Sequence, residues 1–167
     1  MKFLKIFLLL SLFFFSCTKI SNEGTELKHF AIDNLNNIIT QTGVALDKEV
    51  TSDGNGSLRI VSNAPSVIPL YETGNIDVED ATLFYNAKVK CENVQGQVYL
   101  EMWCIFEGKG EYYSRGLENS IAGSTDWTSL QTNFFLNSGE NPDNIRLNLV
   151  VAGTGTVWID DIRLIKK

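Results

Sequence analysis

From Gly43 onward the chain alternates apolar and polar residues with a period of two, and clusters of turn residues punctuate the alternation. Successive side chains of a strand point to opposite faces, so this pattern commits the chain to half-buried strands and excludes amphipathic helices from most of its length. "GSLRIV" sets Leu58 and Ile60 on one face and Ser57, Arg59 and Val61 on the other, after the turn-rich "SDGNG". In "ATLFYNAKVKC" the core set is Leu83, Tyr85, Ala87, Val89 and Cys91. In "QVYLEMWCIF" it is Val98, Leu100, Met102, Cys104 and Phe106, which turns Tyr99, Glu101, Trp103 and Ile105 outward. "WTSLQTNFFL" buries Leu130, Phe134 and Leu136, and "NIRLNLVV" buries Ile145, Leu147, Leu149 and Val151. With "VIPLY", "YYSRG" and the closing "GTVWIDDIRLIKK", roughly nine strands are expected, at the spacing of an all-β sandwich. "HFAIDNLNNIITQTG" fits neither period, and a short helix and an irregular strand both remain open there.

The last strand carries a break in its own pattern. Val157 and Ile159 share one parity, whereas Ile162 and Leu164 share the other. An uninterrupted strand cannot change its buried face, so an extra residue is expected at Asp160 and Asp161, as a β-bulge. Adjacent aspartates on a strand point to opposite sides and do not by themselves make a cooperating acid pair.

The N-terminal residues are of another kind. Lys2 and Lys5 precede an apolar run from Ile6 to Phe15, followed by Ser16 and Cys17. That run falls short of the roughly 20 residues that span a bilayer and suits the hydrophobic region of an export leader. "FFSC" resembles the lipobox of bacterial lipoproteins, which implies cleavage after residue 16, a lipidated Cys17, and an exported protein anchored to a bacterial membrane on its periplasmic or cell-surface side. Acyl chains contribute about 0.8 kcal/mol per buried methylene, enough for two or three of them to hold a domain durably. Residues 17–28 are polar and unpatterned and are expected to be a tether, with one domain over residues 29–167. The net charge of −6 becomes more negative once the leader lysines are gone, which argues against nucleic acid and against membrane binding through a basic surface. Apart from Cys17 the cysteines are Cys91 and Cys104. A tight hairpin around "ENVQG" would keep them too far apart to bridge, while other topologies would permit it.

Groups that move protons or attack are scarce. The single histidine, His29, sits beside the tether, and no nucleophile elbow, phosphate-cradling loop or zinc-like Cys/His cluster is present. A two-carboxylate glycosidase using Glu101, Glu107 or Glu111 is conceivable, but nothing in their spacing favours it. A binding surface is better supported. Tyr99 and Trp103 share a strand face with Glu101 between them, and flat aromatic rings beside carboxylate, amide and guanidinium groups suit the apolar faces and hydroxyls of sugars. Arg146 and Asn148 would join this face if their strand lies alongside, and Tyr112, Tyr113 and Arg115 of "GKGEYYSRG" would form its rim. Trp127 and Trp158 are assigned to structure.

"DGNGSLRI", "STDWTSLQTNFFL" and "GTVWIDDIRL" resemble, in that order, an early strand, a Trp-led strand and the last strand of the galactose-binding-like jelly rolls that include several carbohydrate-binding module families. The resemblance spans most of residues 44–165 and implies a jelly-roll β-sandwich. Some members hold a structural calcium between an acidic residue of the last strand and oxygen ligands of the first, which implies Asp160 or Asp161 as a carrier here. The chain lacks the usual Asn-Gly-x-Phe-Glu opening, and calcium needs six to eight oxygens. The expected function is therefore non-catalytic binding of glycan or another extracellular polymer by a lipid-anchored envelope protein, with docking to another envelope protein as the alternative. No cofactor is expected beyond that possible calcium.

Overall fold

The computed structural model describes residues 24–167; the expected leader, residues 1–16, and Cys17 lie outside the described residues. Eight strands follow one another: β1 (Thr25–Phe30), β2 (Val44–Asp47), β3 (Ser57–Ser62), β4 (Ser66–Gly74), β5 (Ala81–Phe106), β6 (Gly110–Arg115), β7 (Ile121–Leu136) and β8 (Asn144–Lys166). A single 3-10 turn, Leu117–Asn119, is the only helical element among the described residues. Residues 25–28, expected to be tether, belong to β1 and pair with the end of β8, where Thr25 faces Lys166 and Lys28 faces Leu164. No helix among the described residues is long and apolar enough to cross a membrane.

The architecture is a ribbon wrapped round a core. β5 and β8 pair antiparallel over almost their whole length, from Leu83 opposite Lys166 to Ile105 opposite Asn144. β5 and β8 each join two runs that the sequence pattern separates, while β1 and β2 come from stretches it does not mark as strands, so eight strands form where roughly nine are expected. Midway the ribbon turns a corner at Glu92–Gln95, where the register shifts opposite Thr154–Thr156. Buried positions on β5 change there from the odd set ending at Cys91 to the even set beginning at Val94 and Val98, so one face of the ribbon looks inward on both sides of the bend. The corner demands close backbone approach: a Cβ on Gly153 would lie 1.7 Å from the Gln95 carbonyl oxygen.

Beyond the corner the ribbon supplies two layers of a jelly-roll sandwich. In one, β4 flanks the first half of β8 and β6 flanks the second half of β5. In the other, β3 and β1 flank the second half of β8, and β7 flanks the first half of β5. Between them lies a single core that includes Leu58, Leu83, Tyr85, Leu100, Met102, Leu147, Leu149 and Ile159, all with no exposed surface. Cys91 and Cys104 are buried free thiols within it, and burial pushes their pKa up to about 11 and about 12 respectively, which suppresses thiolate chemistry.

The segment after β1 is neither helix nor strand. Ile32 and Ile38 are buried, and the Ile39 and Thr40 amides donate to the carbonyls of Leu70 and Pro69, at 2.9 and 3.2 Å, so the segment caps the β4 edge. The expected bulge in the last strand is present: Asn86 and Lys88 of β5 face Arg163 and Asp160 of β8, which gives β8 one residue more than its partner. Asp161 takes up the strain with a positive φ of 49°.

Candidate functional site

Register alone assembles the outward face of the β4, β8, β5 and β6 layer. Asn148 of β8, Glu101 of β5 and Arg115 of β6 lie directly across from one another, and Arg146, Trp103 and Tyr113 form the next row. β4 extends the two rows, with Pro69 opposite Asn148 and Glu72 opposite Arg146. Because the pleat alternates, Trp103, two residues beyond Glu101, leans over the same face.

Glu101 is the hub. Its side chain is only 2% exposed. Its carboxylate accepts from Trp103 Nε1 at 2.7 Å, Arg115 Nε at 2.7 Å and Asn148 Nδ2 at 3.1 Å. Burial by itself would raise the Glu101 pKa, but these donors and the Arg115 charge outweigh it and hold the carboxyl below the ordinary glutamate range. A buried charge is tolerable only when paired and hydrogen-bonded in this way. Asn148 Oδ1 is buried without a protein donor, leaving one unspent acceptor beside the hub.

The hub immobilises aromatic surface. Trp103 is pinned through its indole nitrogen, and its ring meets Tyr113 at a centroid distance of 4.9 Å and an interplanar angle of 41°. Tyr113 is also held by the Arg115 guanidinium, 4.5 Å from the ring centroid. Trp103 remains half-buried and Tyr113 is 51% exposed, so the pair forms a fixed, tilted apolar platform open to solvent. Arg146 is engaged by Glu72, Nε to Oε1 2.5 Å, and Asn144 Nδ2 donates to the same carboxylate at 3.2 Å. Arg146 holds the Glu72 carboxyl below its usual range.

Seven of the eight binding residues selected from the sequence thus share one face, and six of them, Glu101, Trp103, Tyr113, Arg115, Arg146 and Asn148, make up its two rows. Tyr99 and Tyr112 depart from expectation. Tyr99 shares the face but is only 9% exposed, so it supports the surface without offering a ring. Tyr112 lies on the other side of β6, edge-on to Phe106 at 5.9 Å, because consecutive strand residues cannot share a face. Glu72 was not foreseen; its place depends on β4 pairing with β8, for which no local pattern speaks. Glu107 and Glu111 are exposed, in the turn and at the start of β6. A lowered carboxyl pKa at Glu101 is the opposite of what a general acid in glycoside cleavage requires.

Asp160 and Asp161 form a separate cluster. Asp160 is 1% exposed; its Oδ2 accepts from the Ser52 amide at 3.0 Å and the Ser52 hydroxyl at 2.6 Å, and its Oδ1 accepts from the Asp161 amide at 2.7 Å. Asp161 Oδ1 lies 2.8 Å from His29 Nε2 and 2.9 Å from Arg163 Nε. Burial opposes ionisation of Asp161, but the Arg163 and His29 contacts prevail and its pKa is lowered. Calcium would need oxygen acceptors where these side chains meet hydrogen-bond donors, and β1 presents an imidazole there. No group of three or more His, Cys, Asp or Glu suited to a metal occurs among the described residues. The residues do not fit the calcium site that the family resemblance implied. The aspartates instead bind the loop before β3 and strand β1 to the bulge. Trp158, 5% exposed and donating to Asp47 Oδ2 at 2.9 Å, secures the other end of that loop, as a structural tryptophan should.

No protein-family model and no curated protein matches the sequence, but solved structures match the fold. A two-module Clostridium thermocellum xylanase 10B structure, CBM22-1 with GH10 complexed with xylohexaose, aligns with a TM-score of 0.65 at 14% identity, covering 86% of this chain and 29% of that one. This chain therefore spans less than a third of that structure. The CBM22-1 xylan-binding domain of Paenibacillus barcinonensis Xyn10C aligns at 0.60 and 14% identity, covering 86% of this chain and 96% of that domain. CBM6cm-2 of Cellvibrio mixtus lichenase 5A, in complex with cellotriose, aligns at 0.52 and 13%, covering 86% and 99%. At these identities the likeness establishes the fold, and the chain is a jelly-roll β-sandwich of the kind seen in carbohydrate-binding modules.

Proposed function

We propose that this protein binds a neutral glycan without catalysis, through the outward face centred on Glu101, and that it is held at a bacterial membrane by lipid on Cys17. The observation that carries the reading is the Trp103–Tyr113 platform, fixed in orientation by a buried carboxylate yet open to solvent. Such a platform meets the apolar face of a pyranose, while Arg115, Arg146 and Asn144 offer donors at its margins. Prior fixing of the rings lowers the ordering cost of binding. Both guanidiniums already carry carboxylate partners and the whole chain is acidic, which favours uncharged sugars over uronates. The fold likeness to modules whose structures contain xylohexaose and cellotriose lends further support.

Affinity electrophoresis in gels containing xylan, β-glucan, mannan or polygalacturonate tests this. Wild type should be retarded by at least one neutral polymer and not by polygalacturonate, and Trp103→Ala should run free. Retardation by none of the polymers would overturn the glycan reading and leave docking to an envelope protein, to be sought by pull-down from solubilised envelopes. For the anchor, Cys17→Ser should shift the protein from the membrane to the soluble fraction; unchanged membrane association would refute lipidation.

A further inference from the structure

We propose that the glycan path continues past Tyr113 and around the edge of β6 into a second cleft, where Tyr112 and Phe135 hold a further sugar ring. This inference rests on the glycan reading above and extends it to a site on the other side of the edge strand.

The cleft has a volume of about 300 Å³ and is lined by Phe106, Lys109, Tyr112, Phe134, Phe135 and Glu140. It opens between the β5–β6 turn and the end of β7. Phe135 is 63% exposed and Tyr112 is 52% exposed, an unusual outlay of aromatic surface to water at one place. Tyr112 is held in position: its ring stands edge-on to Phe106 and its hydroxyl donates to the Lys109 carbonyl at 3.2 Å. Glu140 is held too, its Oε2 accepting from the Asn137 amide and side-chain nitrogen, each at 2.8 Å, which leaves Oε1 to accept from a ligand hydroxyl. Lys109 adds a donor to the rim. Aromatic walls with a fixed acceptor and a donor repeat the chemistry of the Trp103 platform on a scale that suits a single ring.

Continuity between the two places comes from the strand. Tyr112 and Tyr113 are consecutive, so their rings flank opposite sides of β6, and β6 pairs with β5 alone. Trp103 and Tyr113 lie side by side across strands, so a polymer stacked on both runs across the sheet and leaves it over the Gly110–Tyr113 part of β6, ahead of Ser114, where Thr132 of β7 closes in with its hydroxyl donating to Ser114 Oγ at 3.1 Å. Units further along a longer oligosaccharide then meet Tyr112 and Phe135 on the opposite side of the strand.

The test is chain length. Calorimetric titration of xylotriose and xylohexaose, with the cello- and manno-oligosaccharides of the same lengths, compares wild type, Phe135→Ala and Trp103→Ala. Phe135→Ala should weaken the preferred hexaose about fivefold and leave the triose unchanged, while Trp103→Ala weakens both. Phe135→Trp should restore hexaose affinity. Because Phe135 is largely exposed, its variants should melt with wild type, which keeps the result interpretable. Equal hexaose affinity for wild type and Phe135→Ala, with Trp103→Ala still impaired, would overturn the second cleft and spare the first. No binding of any oligosaccharide by wild type would overturn both.

Discussion

Glu101 and Asp160 are both carboxylates of the β5–β8 ribbon with almost no exposed surface, and each is satisfied by hydrogen bonds from the protein. They differ in what their donors are attached to. The donors on Glu101 belong to side chains that reach outward, among them Trp103 and Arg115, so satisfying the buried charge also arranges an exposed surface. The donors on Asp160 belong to Ser52 and to the neighbouring amide, so satisfying that carboxyl group ties down a loop and arranges no exposed ring. A buried carboxylate is therefore neither a binding residue nor a structural one by type; the elements that supply its partners decide.

The largest expected effect separates the two by substitution. Glu101→Ala leaves donors of Trp103, Arg115 and Asn148 without their acceptor, and should cost about 2–3 kcal/mol in urea denaturation, discounted for the solvent-screened Arg115, with glycan retardation abolished. Asp160→Ala should cost about 2 kcal/mol by the same measure, through loss of the loop tie, while glycan retardation stays at the wild-type level. Loss of binding in Asp160→Ala would erase the distinction.

Acid should reveal the next effect. The folded-state pKa of Glu101 lies below its unfolded value, so its stabilisation is fully present above the unfolded value, about 4.3, and is lost as pH falls through the folded one. The Trp103 platform should loosen together with that loss. Wild-type intrinsic fluorescence should therefore change at pH values below about 4, and the Trp103-dependent part of the change should be absent in Glu101→Gln. A transition centred near neutrality would contradict the depressed pKa. The smallest expected effect is none at all. Chelation of calcium should leave the melting temperature unmoved, since Ser52 and the Asp161 amide engage the two Asp160 oxygens and His29 and Arg163 engage Asp161 Oδ1; a chelator-induced drop of several degrees would restore a metal to the bulge.

The strands and their inward faces were readable because burial on one side of a pleat writes itself into the sequence every second residue, as Leu100, Met102 and Cys104 show. The bulge at Asp160 and Asp161 was readable for the same reason, as a break in that parity. Other features left no such trace. Nothing in "TELKHF" marks pairing with the chain's far end, and polar composition made its first half look like tether. Neither Tyr99 nor Tyr112 advertises its surroundings: one is buried in the folded sheet, and the other was assigned to the rim together with Tyr113 although their side chains must diverge.

Alternation and turn chemistry are local, and they were enough to specify an all-β chain, the side of each strand that meets the core, and an outward-facing Glu101 and Trp103. Which strands became neighbours depended on closing the ribbon over a shared core, a cooperative event among residues far apart in sequence. That closure brought Arg115 and Asn148 to Glu101, Glu72 to Arg146, and Ser52 and His29 to the paired aspartates. Hydrogen bonds act only over a few ångströms, so the same carboxylates acquired opposite roles from partners that no stretch of neighbouring residues contains.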